Sequence, residues 1–309
     1  MNTVSALHQG DVVDCAIARI DNFRLADGSV VDLDLAYTRC GPRDAPTYVI
    51  LHGYAGSHHA LDPQANASDA GWASFWAGPG KILDTRAVQV ITVNLPGSTY
   101  GSAWRGADDS YASVRGMAAA VDALAKQCVP GVLAGVIGYS FGGYVAMQLK
   151  ADYPTRVARV LALCTAWKGR GAASELDALR ALNTVAERRA YREQVLLRSG
   201  LDAYIGLNGA AAKRREYARL DAWAVEFSTK SLWRLRAAAI EFDLDRCPPD
   251  TQLVYASSDT LFPPAEPLPI NATVVSTVLG HQSLIYDPAA WSSAIDSWVK
   301  SHPSNKFTK

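Results

Sequence analysis

The run Val132-Leu133-Ala134-Gly135-Val136-Ile137-Gly138-Tyr139-Ser140-Phe141-Gly142-Gly143-Tyr144-Val145-Ala146-Met147 constrains this chain more than any other stretch. It reads as an apolar strand over Val132–Ile137, a tight turn holding one serine, and a helix that begins at once at Phe141. Gly138 and Gly142 flank Ser140 at two residues on either side. Side chains there would block a turn sharp enough to push the Ser140 hydroxyl out at the strand's C-terminal end, beside a helix N-terminus. A glycine-rich turn without chemistry has the same composition, so the meaning of this one rests on its surroundings.

Those surroundings alternate strand and helix. Ala16–Ile20 and Val31–Tyr37 alternate apolar and polar residues around Asp27-Gly28-Ser29, which predicts a hairpin with one buried face. Tyr48–Leu51, Val88–Val93, Val132–Ile137 and Val157–Leu163 are apolar runs, as expected of parallel strands covered on both faces. Helical spacing occupies Ala112–Lys126 and Phe141–Asp152. The pattern predicts an α/β fold with a mainly parallel sheet and an N-terminal antiparallel hairpin. From about Trp167 to Arg246 strands give way to Ala-, Arg- and Glu-rich helical spacing. We read residues 167–247 as a helical lid insertion over the sheet's C-terminal edge, with residues 1–166 and 248–309 as the core. Strands resume at Gln252–Ala256 and Ala272–Val275, and an amphipathic helix, Ala289–Lys300, follows. With 309 residues, nearly half of them hydrophobic, the chain can bury a sizeable core.

Formal net charge is zero and no basic run dominates any segment, which argues against a nucleic-acid or anionic-membrane surface. The first fifteen residues carry no apolar signal-peptide core, and no apolar run approaches a membrane span. Five scattered cysteines without a C-x-x-C pair fit reduced thiols rather than disulfides or zinc, so a cytoplasmic protein is expected.

A serine hydroxyl needs a base to take its proton, and the base needs a third group to fix its tautomer. On a sheet of this kind the chain order is nucleophile, acid, histidine, with the last two at later strand ends. Of the six histidines only His281 and His302 follow Ser140, and His302 lies in the tail. His281 sits in a loop between the last strand and the last helix, and Asp259 closely follows the strand Leu253–Ala256. Asp243 and Asp245 are rival acids at the exit of the helical insertion rather than at a strand end. Ser140, Asp259 and His281 are therefore the expected catalytic residues, with the backbone N–H groups of Tyr54 and Phe141 as the oxyanion hole. His52 is expected to hydrogen-bond beneath its loop. His58 and His59 have no third ligand at suitable spacing and are expected at the surface, so no metal or cofactor site is expected.

Several longer stretches are more specific than the serine turn. They include Trp76–Thr85, Asn94-Leu95-Pro96-Gly97-Ser98-Thr99-Tyr100-Gly101-Ser102, Ser231–Ala238 leading to Phe242-Asp243-Leu244, and Ser257–Pro264. With these, residues from about Asp27 to Pro288 resemble the α/β-hydrolase superfamily, and within it the homoserine O-acetyltransferase-like branch. The resemblance implies the same three residues, and dimers formed through the insertion. It also exposes two departures. Homoserine-specific members have an aspartate directly after the histidine, where this chain has Gln282, and an arginine that matches Glu226 here. Both charges that would hold a zwitterionic amino acid are missing, which speaks against homoserine as substrate.

Three activities fit these residues. The first is a serine esterase that hydrolyses a small ester through an acyl-enzyme. The second is an O-acyltransferase with acetyl-CoA as co-substrate and a small alcohol as acceptor. The third is a non-catalytic binding protein on the same fold, against which the complete set of three residues argues.

Overall fold

In the computed structural model, residues 14–107 and 109–301 are described. The expectations for the N-terminal thirteen residues, for His8 and for His302 lie outside them. The hairpin forms as expected: β1 (Asp14–Arg24) runs antiparallel to β2 (Val30–Cys40), joined by a turn in which Asp27 accepts from the Ser29 N–H and hydroxyl. Strict alternation from Ala18 and Ile20 would turn Asn22 inward. A bulge between Ile20 and Phe23, with Asn22 at φ 55°, buries Phe23 instead.

The parallel strands are β3 (Thr47–Leu51), β4 (Gln89–Val93), β5 (Gly135–Tyr139), β6 (Val160–Leu163), β7 (Thr251–Ala256) and β8 (Ala272–Val275). They lie in the order β1-β2-β4-β3-β5-β6-β7-β8 in a nine-stranded sheet, whose ninth strand is the two-residue Ala103–Trp104 beside β2. Their side chains alternate between two cores. Val49, Leu51, Val136 and Val160 face a core shared with α1 (Val114–Cys128) and α2 (Phe141–Asp152). Tyr48, Ile50, Ile137 and Leu161 face a second core shared with Trp291, Ile295 and Trp298. Burial on both faces explains why these strands read as apolar runs rather than alternating ones.

One strand is displaced from its expected bounds. β5 starts at Gly135 and runs to Tyr139, not from Val132 to Ile137, and Val132 is exposed. A Cβ at position 135 would lie 2.5 Å from the Trp298 ring and 3.1 Å from that of Tyr48, so this glycine admits the aromatic packing that covers the strand.

Between β6 and β7 lie helices α3 (Ser174–Arg180), α4 (Val185–Leu196), α5 (Asp202–Glu226) and α6 (Thr229–Glu241), with a wide turn at Leu197–Leu201 joining α4 to α5. Thr184 and Glu187 cap α4 reciprocally, each side chain bonding to the other's backbone N–H. After β8 come a short turn at Gly280–Gln282, α7 (Ser283–Tyr286) and α8 (Pro288–Lys300).

The loop after β3 corrects one expectation. His58 is buried and His59 half-buried, with their rings 4.1 Å apart, so neither is a surface residue. The His58 carbonyl accepts from the Thr38 and Thr92 hydroxyls, which draws the loop under the sheet's end. His52 behaves as expected. Its Nδ1 lies 2.8 Å from the Gly53 carbonyl and its Nε2 accepts from the Leu95 N–H at 3.0 Å. That pairing requires a neutral ring, and burial pushes the His52 imidazole from its ordinary 6.5 down to about 4.

Between pH 6.5 and 4 the unfolded chain therefore binds a proton at His52 that the folded chain refuses, so stability falls as pH falls through this window. The expected loss is on the order of 3 kcal/mol from this residue by pH 4. Urea unfolding between pH 7 and pH 4 checks it: His52→Gln, which can keep one donor and one acceptor, should show a distinctly flatter pH dependence than the wild type. Equal slopes would refute the assignment.

Candidate active site

The serine turn forms where β5 meets α2. Ser140 is the residue before the helix, with φ 53° and ψ −117°, a conformation that costs a non-glycine residue on the order of 1–3 kcal/mol. Close packing imposes it. A Cβ at Gly142 would lie 2.3 Å from the Leu51 carbonyl oxygen, and one at Gly138 would lie 2.3 Å from that of Gly142. Only glycine lets β3, β5 and the first turn of α2 meet this closely.

The loops after β7 and β8 bring the other two residues to the hydroxyl. His281 Nε2 lies 2.9 Å from Ser140 Oγ, and His281 Nδ1 lies 2.8 Å from Asp259 Oδ2. All three side chains are buried. The second Asp259 oxygen, Oδ1, accepts from the Leu261 and Phe262 N–H groups at 2.8 and 3.0 Å. Burial pushes this carboxyl up, but the imidazole and the two N–H groups outweigh it and hold Asp259 below its ordinary value. An ionised Asp259 fixes Nδ1 as the protonated nitrogen, leaving Nε2 as the acceptor facing the serine. The rival acids stand elsewhere: Asp243 pairs with Lys168 at 3.4 Å.

Tyr54 and Phe141 line the same cavity as Ser140, their rings 6.4 Å apart and nearly edge to face. Phe141 opens α2, so its N–H has no acceptor within the helix. Among the described residues the Tyr54 N–H donates to no backbone carbonyl. The Tyr54 side chain points away and donates to the Leu232 carbonyl, with the Arg236 guanidinium 4.9 Å from its ring.

The hydroxyl opens into a cavity of about 370 Å³ whose far walls come from α4, α5 and α6, including Arg192, Leu196, Glu216, Trp223 and Arg236. Two further contacts hold the histidine. The Tyr139 ring stacks on His281 with centroids 5.5 Å apart, and its hydroxyl donates to the His281 carbonyl at 2.8 Å. Gly200, at φ 114°, abuts the Leu279 carbonyl so closely that a Cβ would lie 1.9 Å from its oxygen. The turn between α4 and α5 is thereby packed against the histidine loop. Neither contact was expected: Tyr139 sits inside the serine motif, but nothing in the sequence ties it to a residue 142 positions later.

Cys164 completes the corner, with Sγ, an Asp259 oxygen and a His281 nitrogen within 4.8 Å of one another. The carboxylate oxygens are already hydrogen-bonded, and burial pushes the Cys164 thiol well up, away from the thiolate a metal ion would need. Of the two departures, Gln282 lines the cavity. Glu226 instead accepts from the Ser68 N–H at 3.0 Å and the Tyr100 hydroxyl at 2.6 Å, tying the end of α5 to two core loops.

Comparison with known proteins matches residues 46–290 to the alpha/beta hydrolase fold family. Over 175 residues the chain is 31% identical to a homoserine O-acetyltransferase of Haloferax gibbonsii, covering 51% of this chain and 41% of that protein. Over 157 residues it is 32% identical to a homoserine O-succinyltransferase of Azoarcus sp., covering 46% and 42%. The match thus spans about two fifths of the length of these relatives. Among solved structures, esterase E22 superposes with a TM-score of 0.74 at 16% identity, covering 93% of this chain and 100% of that one. Homoserine O-acetyltransferase from Bacillus anthracis superposes with a TM-score of 0.76 at 14% identity, covering 94% and 98%. Among the described residues no helix is long and apolar enough to cross a membrane. The chain belongs to the alpha/beta hydrolase fold family.

Proposed function

We propose that this protein is a serine-nucleophile acyl-ester hydrolase acting on a small ester through an acyl-enzyme. The hydrogen-bond chain from Asp259 through His281 to Ser140, at the floor of the cavity, carries the reading. Ser140 Oγ attacks the ester carbonyl carbon while His281 Nε2 takes its proton, and Asp259 stabilises the imidazolium. The carbonyl oxygen becomes an oxyanion that accepts from the Tyr54 and Phe141 N–H groups, each worth about 3 kcal/mol in a site of this kind. The intermediate collapses, the alcohol leaves with the proton from Nε2, and the acyl group stays on Ser140. Water then attacks the acyl-enzyme, giving its proton to His281; the acyl–Oγ bond breaks, Ser140 Oγ takes that proton back from Nε2, and the acid departs. No prosthetic group is required.

In this reading residues 167–247 form a lid on a core of 1–166 and 248–309. Gly200 against Leu279 links that lid to the histidine loop. The names of the curated relatives favour a second reading, in which an alcohol replaces water and acetyl-CoA delivers the acyl group. The chemistry up to the acyl-enzyme is the same, and the two differ only in which nucleophile enters next. Homoserine is not the expected acceptor, because the resemblance matches Glu226 and Gln282 to the residues that would hold its carboxylate and amino group.

Ser140→Ala should lower kcat on 4-nitrophenyl acetate by about 10⁴-fold or more, and Asp259→Asn by about 10³–10⁴-fold. An aryl fluorophosphonate should label Ser140 in the wild type. Unchanged turnover in Ser140→Ala would refute the mechanism, and failure to label would favour a binding protein.

Hydrolysis and transfer separate in a second assay, in which the protein receives acetyl-CoA with and without a panel of small alcohols. Free thiol, acetate and acetylated alcohol are measured. The hydrolase reading expects acetate to form at a rate independent of the alcohol. Thiol release that begins only when an alcohol is added would overturn it in favour of the transferase.

A further inference from the structure

Six charged side chains line the cavity above Ser140, and five of them are engaged. Arg219 bonds to Glu216 at 3.3 Å, and Arg215 approaches the same carboxylate at 3.2 Å. Arg236 reaches Glu175 at 3.5 Å, and Arg170 donates to the Leu261 carbonyl. The Asp69 carboxylate accepts from the Ser57 N–H and hydroxyl, both at 2.6 Å. Arg192 is the exception. Among the described residues it has no hydrogen bond or ion pair, and its one close partner is the Trp223 ring, 5.4 Å from the guanidinium carbon.

A guanidinium cannot shed its charge in a protein, and the half-buried Arg192 turns to the cavity with no hydrogen bond or ion pair. Burial does press Arg192 downward, and the tyrosines Tyr286, Tyr191 and Tyr139 with Asp69 only partly offset it. Asp69 is a poor counter-ion, because it forms no ion pair with Arg192 and burial pushes its carboxyl up. The structure around Arg192 is nonetheless ordered: the residue lies in the capped helix α4, and the facing Trp223 indole donates to the Ala55 carbonyl at 3.2 Å. Across the cavity the Gln282 side-chain amide, next to His281, also has no hydrogen-bond partner among the described residues. Two half-buried polar side chains without protein partners, set among apolar and aromatic lining residues, fit a small ligand with one anionic end.

We propose that Arg192 recognises a carboxylate on the substrate, so that the preferred ester carries one negative charge, on either its acyl or its alcohol half, held away from the scissile carbonyl. The inference rests on the esterase or acyltransferase reading of Ser140. A planar fork pairs with a carboxylate through two parallel bonds. Arg192 is the lining arginine whose fork has no hydrogen-bond or ion-pair partner among the described residues, and one fork matches one carboxylate. Recognition from α4 also differs from the position where this chain has Glu226, which is tied to Ser68 and Tyr100.

Binding tests the site without turnover. Calorimetric titration of the wild-type protein would use glutaramate, its neutral isostere glutaramide, and methyl phosphate. Glutaramate should bind at least tenfold more tightly than glutaramide. Arg192→Met should erase that preference, and Arg192→Lys should retain part of it. No preference in the wild type, or a preference that survives Arg192→Met, overturns the proposal, and tighter binding of methyl phosphate overturns the choice of carboxylate.

Kinetics then assign the charge to one half of the ester. In Arg192→Met the ratio of kcat/KM for anionic over neutral ester should fall about 10–100-fold for one of two pairs. The acyl-side pair is 4-nitrophenyl hydrogen glutarate with 4-nitrophenyl butyrate. The alcohol-side pair is 3-acetoxypropanoate with its methyl ester. Unchanged ratios in both pairs count against Arg192. A wild type that binds glutaramate selectively yet turns over no ester contradicts the esterase reading and leaves the anion site standing.

Discussion

The structure depends on how closely three pieces of backbone meet at the serine turn. β3, β5 and the first turn of α2 approach until the Cβ positions of residues 138 and 142 would overlap carbonyl oxygens at 2.3 Å, and that of residue 143 would lie 2.4 Å from Thr165. With the helix pressed onto the sheet this tightly, the chain can pass from strand to helix only by putting Ser140 at a positive φ. Packing sustains that strain: Val49, Leu51, Val136, Val145 and Met147 around the turn are all fully buried. The result is a hydroxyl that opens into the cavity from a closely packed, buried turn. His281 and Asp259 arrive on loops, but they dock against a fixed point.

Much of this was legible in the sequence, for a definite physical reason. Strands buried on both faces write themselves as apolar runs, and the order of serine, aspartate and histidine along the chain follows the order of strand ends. Local pattern fails where tertiary packing decides. The strand expected over Val132–Ile137 lies instead at Gly135–Tyr139, where the Trp298 and Tyr48 rings cover its first residue. His58 and His59 read as surface residues, yet the Thr38 and Thr92 hydroxyls draw the His58 carbonyl inward and the pair is carried under the sheet. The bulge at Asn22 shows the opposite bias, an irregular backbone serving the regular demand that Phe23 be buried.

The candidate site divides along the same line. Ser140, Asp259 and His281 carry chemistry that few other residue types can supply, so position and order single them out. Tyr139, Cys164 and Arg192 gain their surroundings only when distant segments meet. Tyr139 supports a histidine carbonyl from within the serine motif, and Arg192 is one arginine among many on a charged helix until the fold leaves it without a partner.

Glu226 links these points. At this position, which the resemblance matches to an arginine, the chain has a carboxylate with a structural part of its own. It clasps Ser68 and Tyr100, joining the end of α5 to two loops of the core, and it would oppose any carboxylate brought to that side. The wall built by α4 carries Arg192, the lining arginine without a hydrogen bond or ion pair, so the cavity's open fork and the clasp at Glu226 serve different ends, one facing a ligand and the other holding α5 to the core.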